Sequence, residues 1–263
     1  MLDKYLEVAI RAVRKSGVLL TGYYDKLHDF RMKNSNLRDL VTEVDILSEK
    51  SIKKVIWESF PEHSIVAEEG AADQRDPALV WHVDPLDGTV NYSQGIPLCA
   101  VSVGLEENGR MQACAIYNPF ADELFFATRG RGSFQNGAPI HVSGKDSFQN
   151  GLYVGAFSSM ASAKRDREYA AFGAVNDRSR GALRIGSAAV ALAYLACGRV
   201  DGFWAKGLFS WDLAAGILLV QEAGGQVSGA GGQAFTFAQP LLIASNGGVH
   251  AELSGILAET LAE

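Results

Sequence analysis

Small and apolar residues at Leu6, Ala9, Ile10, Val13, Gly17 and Leu20 recur at helical spacing between charged neighbours. This pattern predicts an amphipathic helix ending near Gly22. The stretch from His28 to Leu40 is polar and rich in Asn, Lys and Arg, and reads as an exposed loop carrying Lys33. A second helical pattern runs through Ile46, Leu47, Ile52, Val55 and Ile56. It is preceded by Thr42 and Asp45 in capping-box spacing and stopped by Phe60-Pro61. Ser64 to Ala67 reads as a short strand ending in Glu68-Glu69-Gly70. Leu79 to Val83 is a further apolar run, and it delivers Asp84 and Asp87 onto a Pro-Leu-Asp-Gly corner. Proline stiffens one end of that corner, and Gly88 opens the other.

Beyond the corner the period changes to that of paired strands. Cys99 to Leu105 and Gln112 to Tyr117 flank Asn108-Gly109, and Leu124 to Thr128 and Ile140 to Val142 flank Asn136-Gly137. Together they predict an antiparallel meander. After about residue 145 helices and strands alternate. Leu152 to Phe157 is strand-like, and Lys164 to Arg184 is a polar, basic loop. Ser187 to Cys197 is an Ala-rich helix ending at Gly198, and Trp211 to Ala223 is a buried helix closed by Gly224-Gly225. Leu241 to Ala244 is a strand, and Ala251 to Ala262 a last helix. The fold class is therefore mixed α/β: one domain over 1–263, with an N-terminal antiparallel-sheet lobe (1–145) and a C-terminal α/β lobe (146–263) in which helices cover a sheet.

With 263 residues and 48% hydrophobic content the chain can bury a large core. A net charge of −6 lacks the basic footprint of wholesale nucleic-acid binding, yet an anionic substrate stays open because bound cations reverse the local sign. The odd count of three cysteines, without Cys-x-x-Cys spacing, points away from zinc and disulfides and towards a reducing, cytoplasmic compartment. The first residues mix charges of both signs, and no apolar run approaches membrane-spanning length, so a soluble protein that is not exported is expected.

The candidate chemistry is a set of acids at element ends: Glu68 and Glu69 after one strand, Asp84 and Asp87 after the next, and Asp212 at the start of a helix. Two carboxylates held close repel unless a cation sits between them, and oxygen ligands of this kind suit Mg²⁺. Each acid also has an ordinary structural use. Asp84 and Asp87 fit a strand-to-helix turn, Asp45 fits a capping box, and Asp212 fits a helix N-cap. The five histidines show no ligand spacing, and His82 reads as a supporting residue.

Read together, these stretches resemble the inositol monophosphatase family of metal-dependent, lithium-sensitive phosphatases. The first family signature is matched by Trp81-His82-Val83-Asp84-Pro85-Leu86-Asp87-Gly88-Thr89-Val90-Asn91-Tyr92. The second is matched by Trp211-Asp212-Leu213-Ala214-Ala215-Gly216, followed by Glu222-Ala223-Gly224-Gly225. Leu40-Val41-Thr42-Glu43-Val44-Asp45 and Glu68-Glu69-Gly70 stand upstream in family order. The resemblance implies an alternating layered sandwich of helices and sheets, a homodimer, and two to three Mg²⁺ ions. Glu68, Asp84 and the Leu86 carbonyl would hold one ion, and Asp84, Asp87 and Asp212 a second, with a weaker third near Glu68. Thr89, oriented by Asp45, and Glu68 would position and deprotonate the attacking water, with Lys33 nearby. Gly88 and Thr89 would seat the phosphate through their N–H groups, and a side chain at Gly88 would obstruct that approach. Gly186-Ser187-Ala188 would contact the alcohol portion of a small phosphorylated substrate, or else simply pack a helix closely.

The sequence departs from the family pattern at Ala205, where members that hydrolyse inositol phosphate carry a glutamate for the ring hydroxyls. Losing that acceptor removes discrimination for a sugar hydroxyl. Lys206 is adjacent, and Arg184 closes the basic stretch, so both join Asp212 as candidate substrate contacts. Fructose 1,6-bisphosphate, histidinol phosphate and nucleotide 3′-phosphates then stand as alternative substrates. A regulatory protein retaining the fold is the reading outside enzymes.

Overall fold

The first helical pattern folds as α1 (Leu2–Tyr23), which buries Tyr5, Val8, Ala9, Ala12, Val13 and Leu20. The computed structural model describes residues 1–24, 30–32, 40–70, 73–157 and 165–261, with the side chains of 30–32, 40–42 and 165 outside that description. Lys33 and Lys164 lie outside the described residues. The stretch read as one exposed loop holds β1 (Phe30–Met32) and ends at the first residue of β2 (Leu40–Thr42); the two strands pair antiparallel with Phe30 opposite Thr42. Three-residue strands are too short to print an alternation, and that is why the sequence concealed them.

Next come α2 (Glu43–Ser59), β3 (His63–Ala67), β4 (Asp76–Asp87) and the single turn α3 (Thr89–Ser93). The meander follows as β5 (Ala100–Glu107), β6 (Arg110–Asn118), β7 (Glu123–Thr128), β8 (Ser133–Gln135) and β9 (Ala138–Ile140). Asn108 and Gly109, and again Asn136 and Gly137, take the positive φ that tight hairpin turns demand. The second of these turns joins β8 to β9, so the strand expected at Ile140 to Val142 ends at Ile140, and β8 supplies the partner that was missed. The seven strands form one sheet in sequential order, parallel between β3 and β4 and antiparallel thereafter.

The second half contributes β10 (Leu152–Phe157), α4 (Arg165–Arg178), β11 (Gly181–Leu183), α5 (Ala188–Ala196), β12 (Gly202–Lys206), α6 (Ser210–Glu222), β13 (Gln226–Ser228), β14 (Leu241–Ser245) and α7 (His250–Leu261). Its five-stranded sheet has the order β11-β10-β12-β14-β13, with β10 parallel to both neighbours and β14 antiparallel to both of its own. The segment read as a basic loop is thus mostly α4, a correction with a clear cause. Among its described side chains only Glu168, Ala171 and Val175 are fully buried, with Phe172 and Ala174 partly so, and the many charged residues around them mask the stripe.

Side-chain alternation sorts these elements into layers. Trp81, Val83, Val101, Val103 and Leu105 of the large sheet pack with α1 and α2. The opposite face packs against α5 and α6, and those helices meet Val154, Phe203, Ala205, Leu242 and Ala244 of the small sheet in the same core. Tyr153, Trp204 and Ile243 point the other way, into a third core with α4 and α7. The result is a helix–sheet–helix–sheet–helix sandwich, the layered architecture that the resemblance implied. Among the described residues no helix is long and apolar enough to cross a membrane.

Candidate metal centre

On β4, Trp81 and Val83 face α1 and α2, so regular alternation places His82 and Asp84 on the side of α6. The same alternation would send Asp87 to the wrong face. Between the two aspartates, however, the register with β5 shifts: Asp84 lies opposite Ser102 and Asp87 opposite Ala100. Three steps on β4 thus match two on β5, which is a β-bulge at Pro85-Leu86. Leu86 returns to the core under α1 and α2, and Asp87 joins Asp84. The stretch read as a corner after a strand is therefore a bulge within one. Ser48 Oγ fastens it from α2 by donating to the Pro85 carbonyl at 2.9 Å.

Asp212, in the first turn of α6, completes the group: carboxylate oxygens of Asp84, Asp87 and Asp212 lie within 4.8 Å of one another. Each is held by its own local bond. Leu86 N donates to Asp84 Oδ1 at 3.0 Å, and Phe209 N donates to Asp212 Oδ2 at 2.6 Å. Asp87 Oδ2 accepts from Ser187 Oγ at 2.6 Å and from Ala189 N at 2.5 Å, at the N-terminus of α5. Ser187 also accepts from Val190 N at 3.2 Å, so its hydroxyl caps α5 and anchors Asp87 together.

Burial is the largest influence on all three acids. It raises Asp84 well above the usual carboxylate range, helped by the negative charges of Glu68, Asp87 and Asp212. Burial pushes Asp87 up to about 6 against the pull of its Ser187 and Ala189 hydrogen bonds. Asp212 is raised by burial and by Asp87, with the Phe209 N–H opposing.

Thr89 opens α3 beside this cluster. Its hydroxyl lies 3.0 Å from the Leu86 carbonyl and 3.3 Å from Asp45 Oδ1, the latter on the fully buried carboxylate of α2. Gly88 adopts φ +96, and a Cβ there would sit 2.9 Å from the Leu98 carbonyl. The glycine is thus required by the backbone behind it as well as by any ligand in front. Gly88→Ala is expected to cost about 2–4 kcal/mol, read as a drop of roughly 5–15 °C in calorimetric Tm; an unchanged Tm would refute this account.

The other candidate residues are more dispersed. Glu68 follows β3, whose last residue Ala67 pairs with Val83, and its charge acts on all three aspartates. Gly186 lies at φ +84 against the Asn91 amide, and Asn91 Nδ2 donates to the carbonyls of Leu98 at 2.7 Å and Ile185 at 2.8 Å. Ala188 begins α5. Ala205 points into the apolar middle layer and is 1% exposed, whereas Lys206 is half-buried at the strand end. The Arg184 guanidinium stacks over Phe157 at 5.4 Å, and Arg178 pairs with Glu259 of α7 at 3.7 Å. Sequence reasoning missed the anchoring part of Ser187 and the bridge made by Asn91, although a serine just before an Ala-rich helix is itself an N-cap signal.

The sequence model of the inositol monophosphatase family matches residues 1–263. The chain belongs to the inositol monophosphatase family. An inositol-1-monophosphatase of Synechocystis is 38% identical over 260 residues, covering 98% of this chain and 90% of that protein. The protein named Nus factor SuhB of Escherichia coli K12 is 38% identical over 224 residues, covering 85% and 84%. Among solved structures, the inositol monophosphatase of Anabaena superposes with a TM-score of 0.88 at 37% identity, covering 98% of this chain and 97% of its own. The suhB extragenic suppressor protein of Bartonella henselae gives 0.92 at 34%, covering 97% and 98%.

For this family member, a divalent cation fits the residues present. The donor set is all oxygen, suited to a hard cation. The largest influences on its acids, besides burial, include one another's negative charge, a repulsion that a cation relieves. Ser102 Oγ, opposite Asp84 on β5, is buried without a hydrogen-bond partner, as a group solvated by a hydrated ion would be.

Proposed function

We propose that this chain is a Mg²⁺-dependent phosphomonoesterase acting on a small phosphorylated alcohol or sugar. The observation that carries the reading is the convergence of Asp84 and Asp87 of β4 with Asp212 of α6, far away in sequence, on one oxygen-lined point beside the Thr89–Asp45 pair. Family membership over the whole chain supports it.

Asp84, Asp87 and Asp212 would hold Mg²⁺, with Glu68 and the Leu86 carbonyl as further oxygen donors. Bound there, Mg²⁺ supplies charge neutralisation for the phosphoryl oxygens and acidifies water. The single Thr89 hydroxyl hydrogen has two acceptors in reach, the Leu86 carbonyl and Asp45; with a cation on the Leu86 carbonyl it would turn to Asp45, and the hydroxyl's lone pair would orient the attacking water. Glu68 accepts that water's proton as its oxygen bonds to phosphorus, and the alkoxide leaves with a proton from solvent as the free alcohol. The N–H groups of Gly88 and Thr89, at the start of α3, would hold the phosphate. Thr89→Ala is expected to lower kcat about 100-fold or more, with the cation affinity within a few-fold of wild type. Equal losses in both would place Thr89 in the cation site instead.

Substrate choice falls to the rim. Ala205 itself is buried in the middle layer and offers no acceptor to a ring hydroxyl, which supports a substrate other than inositol phosphate, and at the rim Arg184 and Lys206 would favour a second negative charge. Phosphate release from inositol 1-phosphate, fructose 1,6-bisphosphate, histidinol phosphate and a nucleotide 3′-phosphate, each with and without Mg²⁺, tests the reading. No release from any of them overturns the enzyme. It would favour the second reading, a role through partner contacts, for which the support is that relatives at 35–38% identity carry the name Nus factor SuhB. A homodimer in a reducing cytoplasm completes the proposal, and a light-scattering mass of one chain would overturn the dimer.

A further inference from the structure

Asp84 and Asp212 are each fixed within their own element, by Leu86 N and Phe209 N. Neither bond fixes how β4 stands against α6. His82 does span that gap. It lies two residues before Asp84 on the same strand face, and its Nδ1 is 2.9 Å from Oγ of Ser210, which lies two residues before Asp212 and opens α6. Its Nε2 is 3.3 Å from Glu106 Oε2, on β5. A carboxylate only accepts, so Nε2 carries the proton, and in the neutral ring Nδ1 accepts from the Ser210 hydroxyl. The ring is 6% exposed and packs against Phe237 with centroids 5.2 Å apart, so hydrogen bonds and packing together set its rotamer.

The sheet is shaped to admit this contact. The cross-strand neighbour of His82 is Gly104, and a Cβ there would lie 3.2 Å from Ala215 N of α6. With no side chain at Gly104, α6 settles onto the sheet at the level of His82, and the imidazole meets the first residue of the helix.

We propose that His82 is a positioning residue: through Ser210, and steadied by Glu106, it latches the start of α6 to β4 and sets the separation of Asp84 and Asp212 for a divalent cation. The proposal rests on the reading that this cluster binds such an ion. The latch acts through the backbone of two elements, two residues from a carboxylate on each side, and touches no substrate. Supporting residues of this type commonly change metal affinity by about 10–100-fold when removed.

The test is calorimetric titration of the metal-stripped, full-length protein with Mn²⁺, alongside thermal unfolding without metal. His82→Leu and Ser210→Ala are each expected to weaken Mn²⁺ binding about 10-fold, and the double variant no further, because both break one contact. His82→Asn, whose amide oxygen reaches the place of Nδ1, should retain affinity within about 3-fold. If the wild type binds Mn²⁺ and both single variants bind it equally well, or if their effects add, the latch is overturned. A lowered Tm with unchanged affinity also overturns it, by making His82 merely structural. Absence of binding in the wild type instead overturns the cation reading beneath it. Ser210→Ala removes only a hydroxyl from a half-buried residue, so the test survives if His82→Leu does not fold.

Discussion

Asp87→Asn will abolish turnover while leaving the metal-free protein no less stable. Asparagine keeps an oxygen that can accept from Ser187 Oγ and Ala189 N, so the junction with the start of α5 survives. What it removes is a charge that burial and Glu68 both disfavour. The fold loses nothing by that change, but a divalent cation loses one of its three clustered carboxylates. Several kcal/mol of transition-state charge stabilisation depend on metal placement, so kcat/KM should fall by about 1,000-fold or more. The measurements are phosphate release and Tm in chelator. A metal-free Tm lowered by more than about 5 °C, roughly 2 kcal/mol for a chain of this size, would make Asp87 a structural residue.

The second large effect is a divergence between stability curves with and without Mg²⁺. Asp87 is raised from 3.8 to about 6, and Asp84 and Asp212 are raised as well. An acid whose pKa is higher in the folded than in the unfolded state holds its proton more tightly when folded. Its contribution is fully present below pH 3.8 and is lost as pH rises through the folded value. The metal-free protein should therefore lose stability between about pH 4 and pH 7 from this cluster. A bound cation replaces the protons, so its affinity rises across the same window. At about 100 times its Kd it adds roughly 2.7 kcal/mol, or about 5–10 °C. Tm measured from pH 4 to 7 should fall in chelator and hold in Mg²⁺. Parallel curves would refute the assignment of the cluster as a cation site.

What could be read in advance depended on whether the signal was local. The Ala-rich α5, the hairpin at Asn108-Gly109 and the strand Leu152–Phe157 each carry their pattern within a dozen residues, and they fold as read. β12 does not: it opens on Gly202, is buried on both faces, and so has no alternation to betray it. α4 hides for the converse reason, because apart from Phe172 its inward side chains are a glutamate, two alanines and a valine, too few and too small to stand out among its charges. The layered order came from family resemblance, since periodicity cannot say which sheet face a helix covers.

The site divides in the same way. Its acids stand out by type, and Asp84, Asp87 and Asp212 prove to be neighbours. The manner of their meeting was not visible, because a proline in an apolar run looks like the end of a strand when it is a bulge inside one. The bonds from Asn91 to Ile185, from Ser187 to Asp87 and from His82 to Ser210 join residues roughly a hundred positions apart. No short window of sequence contains both ends of such a contact.

The strand order of the small sheet bears on how the molecule is made. All the proposed ligands have been synthesised once Asp212 is added, yet β12 and β13 are joined only through β14, at Leu241–Ser245. α6 rests against Leu242 and Ala244 of that strand as well as against the large sheet. A nascent chain stalled after α6 would carry every acid of the cluster and still lack the strand that backs the helix bearing Asp212. If the cluster takes a cation as proposed, full affinity is therefore expected only after β14 has been added, later in synthesis than the last ligand.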